Sequence, residues 1–224
     1  VSDGTTLQRI SHSPLRGLVR DQLLERIIDG RLKPGLRLTE AEIASGLGTS
    51  RVPVREALQE LARDGWIDLL PRHGATVHVP QLSDVEDAFA VRAALESECA
   101  RIASQMVTEK HLARLDDIVS RGMKLAKQGD QVGASKANSE FHLEIAKITG
   151  NQLLLQILGT LESRVRWYFS QVAAVRGLQS WLEHQDIVEK IARGDAEAAA
   201  TAARQHTECT LAAYHEQADA ERPD

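Results

Sequence analysis

Residues 39–65, TEAEIASGLGTSRVPVREALQELARDG, read as two short helices joined by a tight turn. Thr39 is placed to cap the first, with Glu40 and Glu42 in its opening turn, where negative side chains suit the positive end of the helix dipole. Ile43, Ala44 and Leu47 fall on one face at helical spacing. Gly46 and Gly48 end that helix, and Thr49–Ser50 supply the next cap. Pro53 sits in the first turn of the second helix, where its missing N–H costs nothing. Val54, Ala57, Leu58, Leu61 and Ala62 then turn inward, while Arg51 and Arg55, four residues apart, lie on the outer side. This is the layout of a helix-turn-helix, whose second helix brings cationic side chains to phosphates and base edges in the major groove of DNA. Taken alone, the segment also admits a plainer reading, a solvated helix with Arg51 and Arg55 paired to Glu56 and Glu60.

The flanks decide between them. Upstream, Leu15–Ile28 forms a third amphipathic helix, with Leu15, Leu18, Val19, Leu23, Ile27 and Ile28 apolar and Gly30 as its stop. Downstream, Trp66–Leu70 and Ala75–Val79 are strand-like runs around Pro71-Arg72-His73-Gly74, a hairpin with a basic tip. Three helices and such a hairpin make a winged helix-turn-helix.

The stretch from PLRGLVRDQLLERIIDGRLKPGLRLTE through IASGLGTSRVPVREALQELARDGWI to LLPRHGATV resembles the DNA-binding domain of GntR-type bacterial transcription regulators. The LKPG turn, the SR-PVREAL helix start and the DGWI strand start occur in order and at family spacing. The resemblance implies that Arg51 and Arg55, with Thr49 and Ser50 at the helix start, contact operator DNA. It also implies that the Arg72-His73-Gly74 wing reaches toward the minor groove. One departure is visible: some members carry an arginine in the helix before the turn, where this chain has Ala41.

At 224 residues the chain has room for two domains that each bury a core. Hydrophobic residues at 42% exclude general disorder, and no uninterrupted transmembrane run is present. The first residues, VSDGTTLQRISHS, lack the apolar core of a signal peptide and are expected to form a mobile arm over 1–13. The two cysteines, Cys99 and Cys209, lack metal-type spacing and are expected as small buried residues in a reducing cytoplasm. Residues 1–80 hold 11 basic and 10 acidic side chains, the remainder 16 and 22. A nearly neutral head must bind DNA through a few placed arginines, which favours a homodimer engaging two half-sites.

Past residue 80, strand signals vanish. Six helices are expected, over about 83–106, 108–128, 130–149, 153–172, 178–193 and 195–217, forming an antiparallel bundle. The fold class is therefore mainly α, a winged helix-turn-helix over 14–80 and a bundle over 81–218 that carries the effector, metal and dimer functions, with a tail at 219–224.

Three of the eight histidines stand apart. His184 and His206 are equidistant from the Gly194-Asp195 turn, so an antiparallel hairpin sets them at one height, each about 15 Å along its helix at 1.5 Å per residue. His142 lies mid-helix with Asn138 four residues earlier on the same face. Three imidazoles and an oxygen donor converging inside a bundle suit zinc, nickel or a similar ion; ordinary hydrogen-bonded helix histidines are the alternative. This second region resembles the all-helical effector domain of the FadR-type branch of the same family, through DAFAVRAALE, NSEFHLEIAKITGN, WLEHQDIVEKIARGD and AAARQHTECTL. The resemblance implies a divalent-metal site at Asn138, His142, His184 and His206, with Asn138 in place of the usual Asp, and a small organic acid as effector. Six helices and a short linker are more similar to the VanR-type subgroup than to the seven-helix form. Arg92 is the expected contact for an anionic effector, or else an ion-pair partner of Glu96; Arg164 and Arg166 are lesser candidates. The Trp167-Tyr168-Phe169 cluster reads as core or dimer interface, and His12, His78, His111 and His215 as exposed or structural.

A three-histidine metal centre can also activate water, so a metal-dependent hydrolase is the rival from another class. Glu140 and Glu144 flank His142 but lie about 200° or more around the helix from it, too far for an obvious general base. No nucleophile motif or phosphate loop accompanies them.

Overall fold

The computed structural model describes residues 14–70 and 74–220, with the backbone alone at 14, 170, 171, 173 and 174. The expected N-terminal arm with His12, the wing-tip residues Arg72 and His73, and the end of the C-terminal tail lie outside the described residues. Two compact units divide the chain, one of Val1–Ile27 and Arg31–Val79, the other of Ile28–Gly30 and Pro80–Asp224.

The first unit is built from α1 (Pro14–Ile28), β1 (Arg37–Leu38), α2 (Glu40–Leu47), α3 (Arg51–Arg63), β2 (Ile67–Leu70) and β3 (Gly74–Val77). Thr39 Oγ1 accepts the Glu42 N–H, capping α2 as expected. Gly48 closes it in the left-handed region at φ 62, where a side chain would clash with its own backbone. Ser50 has the backbone of an N-cap, yet its hydroxyl makes no cap bond. Pro53, Val54, Ala57, Leu58 and Leu61 of α3 are buried, as are Val19, Leu23 and Ile27 of α1 and Trp66, Ile67, Ala75 and Val77 of the wing. Leu15 and Leu18 depart from the expected apolar stripe and are 51% and 60% exposed. The strands pair in the order β1-β3-β2, all antiparallel. The two-residue β1 is an addition to the expected hairpin. It forms because the LKPG turn brings Gly35 N–H onto Val77 O and Val77 N–H onto Leu36 O.

The second unit holds α4 (Leu82–Met106), α5 (Glu109–Lys127), α6 (Gln131–Ile148), α7 (Gln152–Ala192) and α8 (Ala196–Ala220). The expected fourth and fifth helices are both present and are numbered together as α7, two helices that meet at a kink at Gly177 (φ 37, ψ −127). Thr108, Asp130 and Asn151 each accept a backbone N–H at the start of α5, α6 and α7. Leu115 and Ile118 of α5, Phe141 and Ile145 of α6, Trp181, Ile187 and Ile191 of α7 and Ala199 and Ala203 of α8 form one core. Trp167, Tyr168 and Phe169 are buried. Cys99 is buried as expected, but Cys209 is exposed because it lies on the outer face of α8; both are free thiols. No helix among the described residues is long and apolar enough to cross a membrane.

Gly122 on α5 marks the tightest packing. A Cβ there would lie 2.0 Å from the Trp181 ring. Alanine gains up to about 1 kcal/mol of helix propensity over glycine, but this overlap forces Trp181 from its place, at a cost of about 1–3 kcal/mol. Gly122→Ala is therefore expected to destabilise the protein in urea unfolding followed by tryptophan fluorescence, whereas relief of a glycine defect would stabilise it.

Candidate functional site

On the first unit, the front of α3 turns outward. Arg51 and Ser50 are exposed, Thr49 is half-buried, and the Arg55 side chain is 61% exposed. Arg55 is nonetheless engaged: its Nε and Nη2 donate to Glu40 Oε1 and Oε2 at 2.8 Å each. Gly74 opens β3 at φ 89, and a Cβ there would come within 3.0 Å of Leu38 O, so the wing strand needs glycine at this point. Ala41 is exposed on α2.

Inside the second unit, α4, α6, α7 and α8 converge on a polar core. His142, His184 and His206 are buried, and their ligand atoms all lie within 4.8 Å of one another. The hairpin reasoning for His184 and His206 therefore describes their positions, with Nε2 to Nε2 at 3.2 Å. His142 joins them from α6, its ring centroid 5.1 Å from His184 and 5.2 Å from His206. Phe141 stacks on His184 at 4.2 Å and Trp181 meets the same ring edge-on at 4.8 Å, which fixes its plane.

The hydrogens available to this core are few. Glu183 Oε2 lies 2.8 Å from His206 Nδ1 and also accepts from Arg176 Nη2. A carboxylate accepting at Nδ1 leaves His206 Nε2 as a bare lone pair. His142 Nδ1 faces Glu96 Oε2 at 3.2 Å. His142 Nε2, His184 Nδ1 and Asn138 Oδ1 are enclosed without a hydrogen-bond partner. Burial, reinforced by Arg92 and the neighbouring cations or imidazoles, holds all three histidines well below the usual range. They are neutral, so the core gathers lone pairs and lacks positive charge among them. A divalent ion would supply what is missing, and 3.2 Å, which also suits a hydrogen bond between the two rings, is compatible with two imidazole nitrogens each about 2.0–2.1 Å from one ion. The donor set thus fits a metal.

Beside it, Arg92 is buried and its Nε donates to Glu96 Oε1 at 2.7 Å. Thr207 donates to Glu96 Oε2 at 3.2 Å, linking α4 to α8. Burial pushes the Glu96 carboxyl upward against the pull of Arg92. Ion pairing with Glu96 thus occupies one edge of Arg92, while Nη1 and Nη2 are enclosed with no partner. Sequence reasoning missed Glu183, Glu96 as a partner of His142, and Glu162. The Glu162 Oε1 also lacks a partner, and loss of solvent pushes its carboxyl up to about 7. Only the placement of Glu183 next to His184 hinted at any of these.

The remaining candidates point elsewhere. Arg164 lines an outer groove with Val91 and Ile157, and Arg166 is half-buried and interacts with Glu162. Glu140 accepts from Arg114 and Arg121, and Glu144 from Lys147, so both carboxylates flanking His142 face outward. His78 pairs with Asp68, His111 completes the α5 capping box, and His215 lies 3.4 Å from Glu86.

Comparison with known proteins matches residues 15–77 to the gntR family of bacterial regulatory proteins and residues 87–208 to the FCD domain. A probable D-xylose utilization operon transcriptional repressor of Paenarthrobacter nicotinovorans is 30% identical over 93% of this chain and 92% of its own length. The Nta operon transcriptional regulator of Aminobacter aminovorans is 29% identical over 60% of this chain and 64% of its own. The solved structure of E. coli McbR/YncC superposes with a TM-score of 0.78 at 22% identity, covering 92% of this chain and all of that one, a likeness of fold.

If Glu183 sets the His206 lone pair, Glu183→Gln should weaken zinc binding about 10–100-fold in a competitive chelator titration, with helicity unchanged by circular dichroism. Equal affinity in that variant would remove the carboxylate from the centre.

Proposed function

The chain belongs to the gntR family of bacterial regulatory proteins and carries an FCD domain, and on that premise we propose a homodimeric, effector-responsive repressor of a metabolic operon. Its relatives are transcription regulators, and the chain is a DNA-binding regulator, not an enzyme. In our reading the head, 14–80, engages operator DNA through Arg51, Arg55, Thr49 and Ser50, with the wing at Arg72, His73 and Gly74. The bundle, 81–218, senses. A divalent ion, zinc or nickel, is held by Asn138, His142, His184 and His206. When bound, it would supply a Lewis-acidic positive charge.

The observation that carries the sensing role is the Arg92 fork, buried with both terminal nitrogens unpartnered. Buried guanidinium hydrogens are left open at a cost of about 1–3 kcal/mol or more, which a carboxylate accepting from both would remove. Arg92 thus binds and orients a small organic acid, and Glu96 keeps Arg92 in place. Effector binding then shifts the population between arrangements of the two heads that match or miss the half-site spacing. Two heads are needed because one nearly neutral head binds weakly, and the exposed apolar side chains Val91, Leu153 and Ile157 offer a surface for self-association.

A thermal-shift screen of small organic acids tests this reading. An acid present at about 100 times its Kd stabilises the folded form by about 2.7 kcal/mol. Arg92→Lys keeps the charge beside Glu96 but loses the fork, so it is expected to fold and to lose the shift. A shift of the same size in Arg92→Lys contradicts the assignment. His184→Ala is further expected to emerge from purification without metal while remaining folded; full metal content would reject the ligand set.

A further inference from the structure

We propose that Glu40 is a positioning residue for base reading: it grips the Arg55 guanidinium by one edge so that the opposite edge is presented to a guanine in the major groove. The inference rests on the assignment of the α3 face to DNA and adds which base is read and what aims the reader.

A guanidinium carries five N–H groups in a fixed plane. Glu40 takes the Nε hydrogen and one Nη2 hydrogen of Arg55, at 2.8 Å each. The hydrogens left are one on Nη2 and two on Nη1. They form the end-on fork that matches guanine O6 and N7. Without an anchor, a long side chain that is 61% exposed would surrender its rotamer freedom on meeting DNA. Glu40 removes part of that cost beforehand. It can do so because it is the first residue of α2, directly after the Thr39 cap, and so sits on a fixed element. A role in folding does not account for the pair, since an exposed ion pair contributes little to stability. Nor does general affinity, because a carboxylate at this face repels phosphate whatever the sequence. Glu40 therefore trades non-specific binding for discrimination.

That trade has a signature. A duplex is first selected from a random-sequence library by the full-length protein. Wild type, Glu40→Ala, Glu40→Gln, Arg55→Ala and the Glu40→Ala/Arg55→Ala double variant are then titrated, at one salt concentration, against that duplex, against versions with each guanine in turn replaced by 7-deazaguanine, and against an unrelated duplex. Wild type is expected to lose about tenfold at one guanine per half-site when N7 is absent. Arg55→Ala should lower the ratio of selected to unrelated affinity about five- to a hundredfold. Glu40→Ala should also lower this ratio, while binding the unrelated duplex at least as tightly, and should no longer sense the missing N7. Glu40→Gln, which keeps one acceptor, should fall between. The double variant should show no further loss of discrimination beyond Arg55→Ala, since Glu40 acts through Arg55. If Arg55→Ala discriminates poorly while Glu40→Ala discriminates as well as wild type or better, the positioning role is overturned and the DNA face stands. If Arg55→Ala discriminates like wild type, the DNA face assigned to Arg55 fails. Circular dichroism melts confirm that each variant is folded.

Discussion

The polar side chains at the centre of the helical bundle are buried, and a buried polar atom is costly unless it finds a partner. Most do. Glu96 accepts from Arg92 and Thr207, and Glu183 accepts from Arg176 and faces His206. Among the atoms that do not are Asn138 Oδ1, His142 Nε2, His184 Nδ1 and the two terminal nitrogens of Arg92, along with Ser135 Oγ, Glu162 Oε1, Arg176 Nε and Ser180 Oγ. On the proposed reading, a cation would suit the imidazole lone pairs and an anion the open edge of the Arg92 guanidinium. The bundle core is thus specified more by what it lacks than by what it packs.

The head works under the opposite condition. The front of α3 is exposed, so no single charge there is held by burial, and orientation has to come from pairing. The contact of Arg55 with Glu40 supplies it, joining the first turn of α2 to the first turns of α3. This also explains how a head with 11 basic and 10 acidic residues can serve a nucleic-acid partner. On the proposed reading, one of those acidic residues takes part in recognition, and counting it as a deficit understates the face.

Much of this was legible in the chain. The caps at Thr39 and Thr108 and the turn at Gly48 are local chemistry, and local chemistry is written in consecutive residues. The height match of His184 and His206 is nearly local too, because a single tight turn joins their helices. The approach of His142 needed a third helix whose register no hairpin fixes, and only family resemblance supplied it. Glu183 was missed for the same reason, since His206 lies on another helix, whereas the pairing of Arg92 with Glu96, four residues apart on α4, was legible. Leu15 and Leu18 show a different limit: an apolar stripe on α1 announces a face without saying how much of it another element covers. The fourth and fifth bundle helices were legible as separate helices, though the fourth runs on beyond residue 172 and meets the fifth at the Gly177 kink.

Sensing and reading are joined if the occupants of the core change how two heads are held, and that coupling presupposes the core is a metal centre. Anomalous diffraction from crystals of the purified protein, recorded on both sides of the zinc and nickel edges, addresses this most directly. The expected result is a single anomalous peak within bonding distance of His142, His184 and His206, with the Asn138 amide oxygen beside it. Imidazoles that hydrogen-bond to one another or to ordered water, with no peak even after growth in excess zinc or nickel, would contradict the account.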